Sequence, residues 1–144
     1  MKYLLDTNVY LEAFRSQAKR NQFRQSFFPL LPATYLSAVV AYELNVNAQD
    51  CLTRELIQQF VLPLIRTGRV VTPSFEDGTK ASTIATSIRG KDKSWRSKLP
   101  ALLNDVLIAL CARKAGAIMI TYNRDDFRLI QRHKGFALRV LEPS

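Results

Sequence analysis

The chain has 144 residues, 47% of them hydrophobic and 23% charged, with 21 Lys plus Arg against 12 Asp plus Glu. That length is ordinary for one compact domain spanning residues 1–144, and so large an apolar share excludes a disordered chain. The net charge of +9 and the pI near 9.9 favour a polyanionic partner (RNA, DNA, an acidic protein or a membrane surface) without choosing among them.

Residues 2–6 read as a short buried strand that stops at Asp6. The apolar run is too short for the ~7–15 residues of a signal-peptide core. A helix is expected over 8–20, with Val9, Leu11 and Phe14 inside and Arg15, Lys19 and Arg20 outside. Phe23, Phe27 and Phe28 continue the amphipathic pattern until Pro29 and Pro32 break it. Residues 34–37 form a second strand, and Ser37 is a good N-cap for a helix through Asn47. The next helix runs from about Asp50 to Arg66, is interrupted near Pro63, and has Gly68 placed to end it.

Residues 69–72 make a third strand and 75–88 a weaker helix. A basic loop over 89–98 carries Arg89, Lys91, Lys93, Arg96 and Lys98 around Trp95. Pro100 suits the first turn of a strong helix that ends at Gly116. A strand over 117–121, a short helix over 124–132 and a last strand over 136–141 complete the chain. The apolar run from Val106 to Ala112 falls far below the ~20 residues that span a bilayer. Cys51 and Cys111 show no CxxC spacing and read as thiols of a reducing compartment, the cytoplasm. A single histidine, His133, argues against a histidine-built metal site or a Ser-His-Asp triad.

Strands separated by helices imply an α/β fold with parallel pairing and helices on both faces of the sheet. In such folds ligands collect beyond the carboxyl ends of the strands, where strand order reverses. Asp6 and Thr121 each fall at a strand end of this kind.

Carboxylates appear where apolar residues belong. Asp105 shares a helix face with Leu102, Ile108, Ala109 and Ala112, so an ionised side chain there loses hydration unless it is paired. The residues also allow Asp105 or Asn104 to cap a helix that starts there and not at Pro100. Glu43 has Val39, Val40 and Val46 at helical spacing and lies too deep in its helix to be a cap; a salt bridge to an arginine, or a rotated helix, is the plainer account. Asp6, Thr7 and Asn8 are all good N-caps, yet a strand end feeding a helix points Asp6 into the crevice. After the fourth strand, Asn123 and Asp126 imitate a capping box, with Asp125 a solvated first-turn acid. Three or four acids at the ends or flanks of different strands, with no histidine or cysteine set, suit a hard oxygen-liganded cation, Mg²⁺ or Mn²⁺.

Four motifs now stand in order: Leu4-Leu5-Asp6-Thr7-Asn8, Ser37 with Glu43-Leu44, Asp105 with Ile108-Ala109, and Thr121 with Asn123 and Asp126-Phe127. With them the chain resembles the PIN-domain family over essentially its full length, and within it the VapC-type toxins of toxin–antitoxin pairs. The resemblance implies a three-layer α/β/α sandwich around a central parallel sheet and a Mg²⁺-dependent endoribonuclease. By position it implies Asp6, Glu43 and Asp105 as acidic site residues, with Asp126 as a fourth and Asn123 as its possible substitute. Asp6 and Asp105 are the implied metal ligands, and Thr7, Asn8 and Thr121 the supporting polar groups. It further implies a homodimer held inactive by a cognate antitoxin.

For the RNA itself, Arg96 and Lys98 on the basic loop and Arg124 beside the site are the expected contacts, with Trp95 either stacked on a base or turned into the core. Arg128, Arg132 and Lys134 form a second basic set. The group Phe14, Phe23, Phe27, Phe28, Leu30 and Leu31 reads either as core or as a partly exposed groove for a partner. An aspartyl-phosphate chemistry of the haloacid dehalogenase type needs a second Asp where this chain has Asn8. A dinucleotide site needs a GxGxxG turn that is absent. The remaining alternative is a catalytically inactive PIN-like RNA-binding or scaffold protein.

Overall fold

Tyr3–Leu5 forms the first strand, β1, in the computed structural model, which describes residues 1–89 and 98–143. Four more strands follow: β2 (Thr34–Ser37), β3 (Val70–Val71), β4 (Ile118–Thr121) and β5 (Leu138–Val140). Among the described residues they make one sheet in the order β3-β2-β1-β4-β5, and every pairing is parallel. Parallel pairing requires crossovers, and helices supply them. They are α1 (Thr7–Ala13), α2 (Gln17–Phe27), α3 (Ala38–Asn47), α4 (Cys51–Leu56), α5 (Leu62–Arg66), α6 (Phe75–Arg89), α7 (Leu99–Ala115) and α8 (Arg124–His133). α7 packs on β2, β3 and β4 and carries α6 and α8, while α1 reaches β4 and α5 reaches β2. The α/β sandwich with a central parallel sheet is therefore the fold.

The order of strands places the crevice. From β1 the chain moves outward through β2 to β3, then returns to the other side of β1 as β4 and ends at β5. The reversal falls between β1 and β4, where Leu5 pairs with Ile120. Asp6, one residue past β1, and Thr121, the last of β4, are thus brought level; the Asp6 amide still bonds the Ile120 carbonyl at 2.9 Å.

Local chemistry explains most helix ends. Ser37 caps α3, accepting from the Val39 amide at 3.2 Å. α7 starts with Pro100 in its first turn and stops at Gly116, whose φ of 66° is left-handed and suits a residue without a side chain. Gly68 ends α5 in the same way. The interruption expected near Pro63 is a π-helical turn over Ile57–Val61, just ahead of the proline that removes a backbone donor.

Two helix boundaries need correction, and Arg20, expected on the outer face, is buried. The single helix over 8–20 is two helices: α1 stops at Ala13 and α2 begins at Gln17, because Ser16 turns extended and accepts from the Lys19 amide at 3.1 Å. The helix over 75–88 reaches one residue further, so Arg89 belongs to α6 and not to the basic loop. Residues 90–97 of that loop, Trp95 and Arg96 among them, lie outside the described residues.

The aromatic group belongs mainly to the core. Phe60 meets Phe23, Phe28 and Tyr10 at ring centroid distances of 5.0, 5.4 and 5.9 Å. Phe14, Leu30 and Leu31 are half-buried against the same cluster. A cavity of about 320 Å³ opens beside it, lined by Val9, Phe23, Phe27, Leu30, Tyr122 and Leu141 among others. No helix among the described residues is long and apolar enough to cross a membrane.

Candidate active site

Each acid reaches the crevice from a different element. Asp6 is the N-cap of α1 as well as the residue after β1, so the capping account and the crevice account both hold. Its Oδ1 accepts from the Thr7 amide at 2.8 Å and its Oδ2 from the Thr121 hydroxyl at 2.7 Å. Thr121 is itself a hub: its hydroxyl oxygen accepts from Asn8 Nδ2 at 3.3 Å and from the Asn123 amide at 3.0 Å. Asn8 returns the tie by accepting from the Tyr122 amide at 3.3 Å. The strand-end polar residues therefore lock β1, α1 and the turn after β4 into one unit.

Glu43 is half-buried in the middle of α3 and accepts from the Thr7 hydroxyl at 2.9 Å. That bond joins the second helical acid to the residue next to Asp6. Asp105 is the seventh residue of α7, well past the first turn, so it is no cap. It interrupts a stripe in which Leu102, Val106, Ile108, Ala109 and Ala112 are buried. Each large apolar side chain in such a stripe contributes ~1.5–3 kcal/mol, and a carboxylate there forgoes that gain. Among the described residues no lysine or arginine forms an ion pair with Asp6, Glu43 or Asp105.

The electrostatics record the crowding. Burial, and then the negative charges of Asp6, Asp126 and Glu43, push the Asp105 carboxyl up to about 8, with Arg89 pulling the other way. Asp6 is raised to about 6, chiefly by burial, against the opposing hydrogen bonds from Thr121 and Thr7. Asp105 thus feels the charges of Asp6, Glu43 and Asp126, although Asp6 and Asp126 are 120 residues apart in the chain.

Asp126, in the first turn of α8, is held differently. Arg89 from the end of α6 forms an ion pair with its Oδ1. Asn123, the N-cap of α8, donates to Asp126 Oδ2 at 3.3 Å and accepts from the Asp126 amide at 3.4 Å. The capping reading of Asn123 and Asp126 is therefore realised, and Asp125 is exposed as a first-turn acid. Arg89 is the site neighbour that sequence reasoning missed. Ala81, Ala85 and Arg89 recur every four residues and are all buried, so a cation on the apolar stripe of α6 was the available signal.

The proposed RNA contacts are less gathered. Lys98 is exposed at the start of α7. Arg124 is exposed and pairs with Glu142 at 2.9 Å. Arg128 and Arg132 are exposed on α8, and Lys134 is half-buried just after it.

The donor set is all oxygen, which suits a hard divalent cation and not a thiolate or imidazole metal. As the side chains stand, no three of His, Cys, Asp and Glu among the described residues converge on one point. Mg²⁺ commonly takes only one or two carboxylates and keeps several waters. Asp6 and Asp105, whose charges interact, supply carboxylates of that number.

Comparison with known proteins bears on the fold that carries these residues. A family model described as the PIN domain matches residues 3–132. No curated protein sequence gives a significant match. Among solved structures, the chain is similar to a FitAB complex bound to the IR36 DNA fragment, at 21% identity, with 98% of each chain covered and a TM-score of 0.65. It is similar to VapBC2 from Rickettsia felis bound to a promoter DNA fragment, at 20% identity, covering 99% of this chain and 100% of that one, TM-score 0.57. It is also similar to DNA-bound VapBC from Salmonella typhimurium, at 20% identity, covering 97% and 98%, TM-score 0.59. At these identities the likeness establishes the fold.

Proposed function

The chain belongs to the PIN-domain family, and from that membership we propose that it is a metal-dependent endoribonuclease, the toxin of a toxin–antitoxin pair. The observation that carries the reading is Asp105: a carboxyl group inside an apolar helix face, raised to about 8 by burial and by three neighbouring acids. A fold tolerates such crowding where function uses it.

Asp6 and Asp105 would hold Mg²⁺, or Mn²⁺ in its place. When bound, the ion supplies Lewis-acid polarisation of a phosphate oxygen and lowers the pKa of a coordinated water. Thr121 and the Thr7 amide fix both oxygens of Asp6, so this ligand is oriented before the substrate arrives. Thr7 engages Oε1 of Glu43 and leaves Oε2 to accept the proton of the attacking water. Asp126, paired with Arg89, closes the cup on the α8 side. Hydrolysis of an RNA phosphodiester in this arrangement leaves a 5′-phosphate and a 3′-hydroxyl. Lys98, Arg96 and Arg124 are the proposed contacts to the phosphate backbone, and the net charge of +9 draws the polyanion in.

FitAB and VapBC are two-component assemblies by name. They support a partner antitoxin for this chain; a homodimeric state and action in the cytoplasm belong to the same proposal. A short adjacent reading frame encoding a DNA-binding protein that copurifies with this chain is the expected genetic context.

The direct test is degradation of a generic single-stranded RNA with Mg²⁺, with EDTA, and by Asp6→Asn. Cleavage is expected to require the metal, and Asp6→Asn is expected to abolish it while circular dichroism stays unchanged. Full activity of a folded Asp6→Asn protein, or cleavage in EDTA, overturns the proposal. RNA binding without any cleavage favours instead an inactive binding protein of the same fold.

A further inference from the structure

Arg89 enters the acidic cluster from the buried face of α6, its side chain 5% exposed, and pairs with Asp126. A guanidinium is charged at every accessible pH, and here a single nitrogen, Nη2, holds Oδ1 of Asp126. Asn123 takes the second oxygen of Asp126. The two oxygens of Asp6 are also engaged, but by a neutral amide and a neutral hydroxyl, which leave the carboxylate its whole charge. Among the described residues Glu43 likewise receives a neutral hydroxyl and no cation. Among the described residues, one of the four carboxylates is therefore neutralised from inside the protein, and three are left for cations from solution.

We propose that Arg89 is an internal counter-ion that reserves Asp126 and limits the carboxylate cluster to one divalent cation. A second divalent ion on the Asp126 side would meet the fixed positive charge of the guanidinium and would have to displace it. Arg89 is thus a positioning residue, acting through Asp126. The inference rests on the nuclease reading of the site, and it fixes the number of ions that reading leaves open.

Mn²⁺ titration of the full chain, followed by the electron paramagnetic resonance signal of free Mn²⁺, reads stoichiometry without reference to activity. The wild type is expected to bind one ion. Arg89→Gln is expected to bind two, Arg89→Lys one, and the double variant Arg89→Gln/Asp126→Asn one again, because the released carboxylate is gone. Two ions on the wild type, or a folded Arg89→Gln protein that still binds one, overturns the inference. Should Arg89→Gln fail to fold, the wild-type count and the Arg89→Lys count decide: two ions on either refutes it, and one on both supports it. Asp105→Asn in the wild-type background separates the two levels. Loss of Mn²⁺ there is required by the nuclease reading, and undiminished binding sinks that reading whatever Arg89 does.

Discussion

Replacing Asp105 by Asn is expected to remove metal binding and, in the absence of metal, to make the protein more stable. In the unfolded chain the carboxyl ionises at about 3.8; in the folded one it ionises at about 8. Below the lower value both states hold the proton and Asp105 contributes nothing. Between the two, the unfolded chain gives up the proton while the native one keeps it, so folding loses ground with every step in pH. Above about 8 the loss is complete and level. At pH 7 the penalty is up to about 4 kcal/mol from the separation of the two values. Relaxation of neighbouring side chains and water entry reduce this, and roughly 2 kcal/mol is a fair expectation, equal to a Tm rise of about 4–8 °C for a chain of this size. Asn has nearly the volume of Asp and no charge to desolvate. The assay is thermal unfolding in EDTA at pH 5 and pH 8. The Tm advantage of Asp105→Asn should be small at pH 5 and larger at pH 8. Saturating Mg²⁺ should then raise the wild-type Tm and leave the variant unmoved. A variant that is less stable than wild type in EDTA, or an advantage that is the same at both pH values, would refute the argument that Asp105 is held there against its own solvation.

Three further outcomes are expected. Thr121→Val keeps shape but removes the hydroxyl that serves Asp6, Asn8 and Asn123, and should lower stability by ~2–3 kcal/mol in urea unfolding; a loss under ~0.5 kcal/mol would mean those groups find other partners. Tyr10 is buried among aromatic rings and its hydroxyl has no hydrogen-bond partner among the described residues, so Tyr10→Phe should be neutral or stabilising by ~1 kcal/mol, and a clear loss would reveal a hidden acceptor. Neutralising Arg96 and Lys98 together should raise the dissociation constant for single-stranded RNA and flatten its dependence on log salt by about 1.4, the share of two phosphate contacts. An unchanged slope would exclude that loop as the contact.

The residues that announce the site do so locally. Asp6 ends an apolar strand, and Glu43 and Asp105 break apolar helical faces, so each stands out within a window of one or two turns. Strand and helix order were legible for the same reason, since the alternation of short apolar runs with longer periodic ones needs no distant information. The split between α1 and α2 was harder, because the Ser16 cap is weaker as a pattern than the amphipathic stripe that runs past it. Arg89 was passed over because its neighbours downstream are basic, and a charge at the edge of a charged run looks solvated until α6 is seen to bury it.

By itself, the sequence determined the parallel α/β architecture, the four acids and the polar residues beside two strand ends, all consequences of short-range patterning. Tertiary structure alone decided that β1 and β4 are neighbours, that Thr7 meets Glu43 across 36 positions, that Thr121 meets Asp6 across 115, and that Arg89 meets Asp126 across 37. Strand order and side-chain pairing at such separations are set by how whole faces bury against one another, and no local run of residues encodes which carboxylate a distant cation will reach first.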